Sequence, residues 1–108
     1  MQAAVVKLDR SFQALANATR RAVVERLLRG PATVSELAEP FDMALPSFLE
    51  HLRTLELSGL VRSTKVGRVR TVRVVPERLA HAAGWLETQR TLWEKRLNQF
   101  DRYVKNME

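Results

Sequence analysis

The spacing of the apolar residues changes at Gly59 and again at Pro76, and these changes limit the folds open to the chain. Before Gly59, apolar residues recur every three or four positions, which is the period of a helix with one buried face. Between Val61 and Val74 they alternate with polar and basic residues, as in a strand. Helical spacing then returns and continues to Val104. This pattern predicts a mainly α fold with one small β-hairpin.

Capping residues divide the first part of the chain into helices. Apolar residues recur at helical spacing over residues 8–28 and indicate two helices. Asn17 is suited to cap the second helix, and Gly30 followed by Pro31 would end it, because proline cannot continue the helical hydrogen bonds. We expect this helix over residues 18–29.

A pair of helices joined by a short turn is predicted next. Thr33 and Glu36 form a capping-box pattern at the start of a short helix. A second helix then begins close to Leu45 and ends at Gly59. Its predicted apolar face consists of Leu45, Phe48, Leu49, Leu52 and Leu55. Such a pair, over residues 33–58, is typical of a helix-turn-helix, in which the second helix enters the DNA major groove.

The opposite face of the second helix carries polar side chains that suit the reading of DNA. A glutamate can accept a hydrogen bond from a cytosine amine, and an arginine can reach guanine. An ordinary solvent-exposed face is the alternative interpretation, and His51 in particular could be a packed structural histidine. The candidate recognition residues are Ser47, Glu50, His51, Arg53 and Thr54.

The predicted hairpin, residues 60–75, has Gly67 at its tip and carries a high density of cations. Cations on such a wing would neutralise DNA phosphates and release counterions, although a solvated charged hairpin is the alternative. Lys65 and Arg68 lie next to the tip and are the foremost candidates. The candidate wing residues are Arg62, Lys65, Arg68, Arg70 and Arg73.

The charge balance favours a polyanionic partner. The 108 residues include 18 Lys and Arg against 12 Asp and Glu, a formal net charge of +6, which suits nucleic acid or an anionic membrane. The sequence has no cysteine, which excludes disulfides, thiolate zinc sites and cysteine nucleophiles. The length fits one domain over residues 1–108, and with no bilayer-spanning run or signal peptide evident we expect a cytoplasmic location.

Neither an enzyme nor a metal site is indicated. Ser47 and His51 have helical i,i+4 spacing, but no third catalytic group or oxyanion loop accompanies them. A metal site would recruit His81 with Glu77 or Glu87, yet a closed zinc site needs about four ligands and this helix supplies a single histidine. We therefore expect no catalysis, no metal and no other cofactor.

The C-terminal segment, residues 76–108, is predicted to form a long helix with an apolar stripe. So small a domain cannot bury this stripe alone, and a second subunit is the economical partner. Trp85 and Trp93 would pack at the subunit seam, with a ligand pocket as the alternative. A protein-interaction module is a further hypothesis for this helix, while its interspersed acidic and basic residues disfavour a membrane surface.

Several short segments carry a resemblance to a known family. They are residues 15–21, 34–38, 51–56 and 58–61, together with Lys65 and Gly67-Arg68 in the hairpin. In combination, over nearly the whole chain from Phe12 to Val104, they resemble the ArsR-like family of winged helix-turn-helix transcriptional regulators. The absence of cysteine makes the chain similar to the subgroup that lacks the cysteine metal motif.

The resemblance implies the element order α-α-α-α-β-β-α and a homodimer formed by the first and last helices. It also implies a repressor that binds a palindromic operator in double-stranded DNA, with no particular small-molecule or protein effector indicated. The dimer interface expected on this basis comprises Phe12, Leu15, Leu86, Trp93, Leu97 and Phe100.

Overall fold

The computed structural model describes residues 2–107, so Met1 and Glu108, the two ends of the predicted domain, lie outside the described residues. The predicted order of four helices, a hairpin and a long helix is confirmed, and one short strand is added to it. The elements are α1 (Gln2–Leu15), α2 (Ala18–Leu27), β1 (Ala32–Thr33), α3 (Val34–Ala38), α4 (Leu45–Ser58), β2 (Val61–Val66), β3 (Val69–Val74) and α5 (Pro76–Asn106).

The strands form one antiparallel sheet in the order β1-β3-β2. Strands β2 and β3 are the predicted hairpin, with residues 61–66 paired against residues 69–74. Strand β1, which was not predicted, pairs with β3 so that Ala32 lies opposite Val72. Two residues are too few to display an alternating pattern, so sequence periodicity could not reveal this strand. Helices α3 and α4 followed by this hairpin make up a winged helix-turn-helix.

The predicted capping contacts are present at three helix ends. The Asn17 side chain accepts a hydrogen bond from the backbone N–H of Arg20 at 3.1 Å. At α3, the Glu36 N–H donates to the Thr33 hydroxyl at 3.2 Å and the Thr33 N–H donates to the Glu36 carboxylate at 3.3 Å, which confirms the capping box. The Thr33 hydroxyl also donates to this carboxylate and holds the pKa of Glu36 below its ordinary value. Gly59 closes α4 with a φ of +84°, which favours glycine.

Two helix bounds differ from the prediction. Helix α2 ends at Leu27 rather than at Arg29, because the next residues form a turn in which the Gly30 N–H donates to the Leu27 carbonyl at 3.0 Å. Helix α1 begins at Gln2 rather than near Leu8. Residues 3–6 are four consecutive apolar residues, and such a run does not display the three- and four-residue spacing from which a helix is predicted.

The hydrophobic core is built around α4. Its Phe48, Leu52 and Leu55 side chains are at most 1% exposed. The other core residues come from α1, α2, α3 and the sheet region: Ala14, Val23, Val24, Leu27, Ala32, Leu37, Leu60, Val61 and Val72. Because three large side chains on one side of α4 are buried, the rotation of this helix about its own axis is fixed.

Two leucines assigned to the apolar face of α4 are not buried. Leu45 is 56% exposed and Leu49 is 37% exposed, so this part of the prediction is wrong. A helix turns by about 100° per residue, which puts Leu49 about 60° from Leu52 and about 100° from Phe48 around the axis. Leu49 therefore lies at the border of the buried face. Leu45 lies only about 20° from Leu52 around the axis, but it is the first residue of α4 and its side chain remains exposed there.

Helix α5 is 31 residues long and extends beyond the other elements. The whole molecule measures 71 Å along its longest axis and 32 and 22 Å along the other two. Near its start Ala82 is buried, and Trp85 meets Phe12 of α1 edge to face with ring centroids 5.7 Å apart. Residues 83–107 are all exposed. Across residues 2–107, no helix combines the length and apolar character that crossing a bilayer would require.

We predict that Phe48→Ala lowers the free energy of unfolding by about 3–5 kcal/mol, because it leaves a cavity where a fully buried ring packs. Urea denaturation at a fixed protein concentration measures this loss. Leu57→Ala, at a site on the same helix that is 65% exposed, is the matched control and should change stability by no more than about 0.5 kcal/mol. Equal losses for the two variants would contradict the buried face assigned to α4.

Candidate nucleic-acid interface

The core contacts of α4 determine which of its side chains face outward. Phe48, Leu52 and Leu55 point into the protein, so the opposite side of the helix is presented to solvent. Of the five predicted recognition residues, three are exposed: Ser47, Glu50 and Arg53. Together they supply a hydroxyl, a hydrogen-bond acceptor and a guanidinium donor on one accessible surface.

His51 lies at the edge of this surface and is half-buried against α2. Its Nδ1 atom is 3.0 Å from a guanidinium nitrogen of Arg20. Because arginine has only donors, Nδ1 must be the acceptor. The same guanidinium donates to the backbone carbonyls of Ala14, at 2.7 Å, and Gln13, at 3.2 Å. These contacts tie α4 to α2 and to the end of α1, and they favour the structural interpretation of His51.

Thr54 also lies at this edge and is half-buried. Its hydroxyl donates to the Glu50 carbonyl at 3.1 Å, a local bond within α4. The structure therefore separates the five predicted residues into an exposed group of three and an inner pair, His51 and Thr54.

The strand register divides the wing cations between the two faces of the hairpin. Arg62 lies opposite Arg73 and Lys65 lies opposite Arg70. Alternate residues of a strand point to opposite faces, so the first pair lies on one face and the second pair on the other. Arg68 sits in the turn beside Gly67, whose φ is +61°, and is exposed. The arginines and lysine predicted as one group thus occupy three distinct places.

Arg70 differs from the other predicted wing cations because its guanidinium forms an ion pair with Glu56 of α4. It also donates to the Ser63 hydroxyl at 3.0 Å, and that hydroxyl donates to Glu56 at 2.7 Å. The side chains of Arg70 and Glu56 are 37% and 24% exposed, so water only partly screens their interaction. This network, here called the wing anchor (Glu56, Ser63 and Arg70), joins both strands of the wing to α4.

Sequence patterning did not identify the residues that brace α4 at its two edges. Arg20 precedes His51 by 31 positions, and Glu56 precedes Arg70 by 14. Helical periodicity reports only on neighbours within the same helix, so it contains no information about these partners. The positive charge of Arg70 led to the prediction of a DNA contact, and in the structure this side chain pairs with a carboxylate of the same chain.

The predicted interface residues fall into two groups. Phe12 and Leu15 are half-buried within the protomer, where Phe12 packs on Trp85 and Leu15 packs against the core. The remaining four are between 43% and 64% exposed on α5: Leu86, Trp93, Leu97 and Phe100. At about 100° per residue these four lie on one side of the helix, together with Val104. We call this set the α5 stripe.

Three charged side chains beside the α5 stripe pair with one another within the helix. Arg90 donates to Glu94 at 2.6 Å and forms an ion pair with Glu87. Its guanidinium holds the pKa of the Glu87 carboxyl below its ordinary value. One guanidinium and two carboxylates give this exposed group a formal charge of −1.

Comparison with known proteins assigns the fold to a family. A helix-turn-helix domain family model matches residues 15–64. The transcriptional regulator Rv2034 of Mycobacterium tuberculosis is 43% identical over 72 residues, which cover 67% of each chain. The transcriptional repressor SdpR of Bacillus subtilis is 28% identical over 61 residues, covering 56% of this chain and 68% of SdpR.

Two solved structures have the same architecture. The crystal structure of the ArsR family transcriptional regulator RHA00566 is 58% identical, covers 82% of this chain and 91% of that chain, and has a TM-score of 0.77. The solution structure of the homodimeric winged helix-turn-helix DNA-binding domain Mb0332 of Mycobacterium bovis is 25% identical. It covers 84% of this chain and 86% of that chain, with a TM-score of 0.66.

The chain carries no cysteine, in keeping with the predicted subgroup. Its relatives are transcriptional regulators with helix-turn-helix domains and not enzymes. By its sequence identity and its fold, this chain belongs to the ArsR family of winged helix-turn-helix transcriptional regulators.

Proposed function

We propose that the protein is a homodimeric repressor that binds a palindromic operator in double-stranded DNA in the cytoplasm. The observation that carries this proposal is the packing of α4, whose Phe48, Leu52 and Leu55 are buried while Ser47, Glu50 and Arg53 are exposed on the other side. A rigidly held helix with an exposed polar surface is what major-groove recognition requires.

Base recognition is assigned to the exposed group on α4. Arg53 can donate two hydrogen bonds to guanine, and Glu50 can accept one from the amino group of cytosine. Ser47, near the start of the helix, can serve a base or a phosphate. His51, which contacts Arg20 of α2, acts mainly by holding the helix in place, and the Thr54 hydroxyl is engaged within α4.

Backbone contact is assigned to the wing. Lys65 and Arg68 are exposed at its tip, and Arg62 and Arg73 are exposed on one of its faces. Each cation that neutralises a phosphate releases counterions, so binding should weaken steeply as salt rises. Arg70 acts through the wing anchor, which sets the position of the wing relative to α4.

Dimerisation is assigned to the α5 stripe and to the part of α1 that packs against α5. Large apolar side chains that are 43% to 64% exposed are unfavourable in a monomer and gain from burial against a second copy. The homodimeric state of Mb0332, whose fold is similar, supports this arrangement. A two-fold dimer presents two copies of α4 to successive major grooves, roughly 34 Å apart, which matches a palindrome.

Repression would follow from occupancy of the operator, and the relationship to the repressor SdpR supports this direction of control. An effector that relieves repression must bind the DNA-competent and the incompetent dimer with different affinities. We expect the effector to bind at the dimer interface, because a change in the angle between the subunits there moves both copies of α4.

The α5 stripe also supports a second candidate function, as a docking surface for another protein. The exposed polar face of α4 has no role in that hypothesis, so we prefer the DNA-binding dimer.

We predict that Arg68→Ala weakens binding to all duplexes and lowers the slope of log affinity against log salt by about one unit, because one phosphate contact is lost. Arg53→Ala should weaken binding and also change which sequences are preferred, as should Glu50→Ala, because base contacts are lost. Binding titrations at several salt concentrations, with duplexes selected from a random pool, measure both effects.

Two controls belong to this experiment. Arg102→Ala removes a charge on the side of α5 that faces away from the α5 stripe, and should leave both quantities unchanged. Arg70→Ala should reduce affinity with little change in salt slope, since Glu56 already neutralises this guanidinium. Equal losses on every sequence for the Arg68, Arg53 and Glu50 variants would contradict the assigned division of labour.

We predict that Leu97→Glu dissociates the dimer, with a dissociation constant raised about a hundredfold or more, because burying an unpaired charge costs about 3 kcal/mol or more. Sedimentation velocity over a range of concentrations measures this change. Gln99→Glu, which adds the same charge away from the α5 stripe, should sediment like the unmodified protein. A Leu97→Glu variant that remains dimeric would contradict the assignment of the α5 stripe to the dimer interface. An unmodified protein that sediments as a monomer would favour the protein-docking function.

A further inference from the structure

Two large apolar side chains are exposed at the start of α4. Leu45, the first residue of the helix, is 56% exposed, and Leu49, one turn later, is 37% exposed. Residues four apart on a helix are neighbours, so the two leucines form one small apolar surface. This surface takes no part in the core of the protein.

The residues around Leu45 have few side-chain groups for hydrogen bonding. Ala44 occupies the N-cap position and makes no side-chain hydrogen bond, and Pro46 has no backbone N–H. Leucine itself has no side-chain donor or acceptor. The surface around Leu45 is therefore suited to an apolar contact, and it lies among the first residues of the helix, which in a recognition helix commonly meet base edges.

The residues around the two leucines indicate which kind of partner binds there. Arg53 continues the same row one turn after Leu49, and on the following turn Glu56 contacts Arg70 of the wing. The leucine pair thus lies on the side of α4 that faces the wing, whose tip carries the exposed cations Lys65 and Arg68. A partner large enough to cover the leucines and reach the wing meets these cations, on a chain with a net charge of +6.

Duplex DNA combines both kinds of complementary group. Its phosphates line the groove, and the C5-methyl group of thymine is the apolar group that the four standard bases present on the floor of the major groove. An apolar protein surface would match the leucines and would leave the neighbouring cations without partners. Charge complementarity therefore favours DNA as the occupant.

We propose that Leu45 and Leu49 contact thymine methyl groups in the major groove and so make the protein select thymine at specific operator positions. This inference rests on the proposed DNA-binding function and adds specificity residues to it. Each half-site then has thymines on the side of the wing, next to the base that Arg53 reads.

The test uses a duplex that the protein itself has selected from a random pool, prepared once with thymine and once with deoxyuridine at each thymine position. Deoxyuridine pairs in the same way and lacks the methyl group. We expect the unmodified protein to bind the deoxyuridine duplex about fourfold more weakly for each methyl group buried. Single replacements then identify the positions that respond.

Leu49→Ala and Leu45→Ala show whether the leucines cause this response. Both residues are exposed, so circular dichroism should show unchanged folding. Each variant should bind the thymine duplex more weakly and lose part of the discrimination, and the double variant should bind both duplexes equally. Loss of a methyl group also alters DNA stacking, so the coupling between protein variant and base replacement is the deciding quantity. Leu57→Ala, at the far end of α4, should retain the full discrimination.

The outcomes separate this inference from the function on which it rests. Equal binding of the thymine and deoxyuridine duplexes by the unmodified protein would overturn the thymine contact alone. Full discrimination by the double variant would also overturn it, because the methyl groups would then meet other residues. Retention of no duplex at any salt concentration would overturn both proposals.

Discussion

The burial of one face of α4 is the constraint on which the rest of the structure depends. Phe48, Leu52 and Leu55 are at most 1% exposed and fix both the depth and the rotation of this helix. A well-packed interior allows few alternative arrangements, so the exposed side of α4 is fixed at the same time. Recognition of DNA needs side chains held close to one geometry, and this packing supplies that geometry before any partner binds.

Two polar contacts hold the edges of the same helix. On one side, Arg20 joins His51 to the carbonyls at the end of α1, and on the other, Glu56 joins Arg70 and Ser63 of the wing. These contacts join the helix to both α2 and the wing. His51 and Arg70, both predicted as DNA contacts, thus also make contacts within the protein.

Helix α5 presents the opposite situation, with a surface that the protomer leaves uncovered. The α5 stripe and its neighbours beyond Ala82 are exposed along more than half of the helix, while Arg90 and its glutamate partners pair with one another beside the stripe. Removing such apolar surface from water is favourable in free energy. The protomer therefore has a self-sufficient core at one end and an incomplete packing surface at the other.

The sequence by itself determined the order of the helices and the hairpin, the capping box at Thr33 and the end of α4 at Gly59, because periodicity and caps depend on neighbours along the chain. It also identified Ser47, Glu50 and Arg53 as outward-facing, since their positions follow from the helical period. Only the tertiary structure decided that Leu45 and Leu49 are exposed, that His51 contacts Arg20 and that Arg70 contacts Glu56. These features depend on contacts between residues that are far apart in the sequence, which form when the helices and the sheet pack. Local patterns along the chain do not specify such contacts.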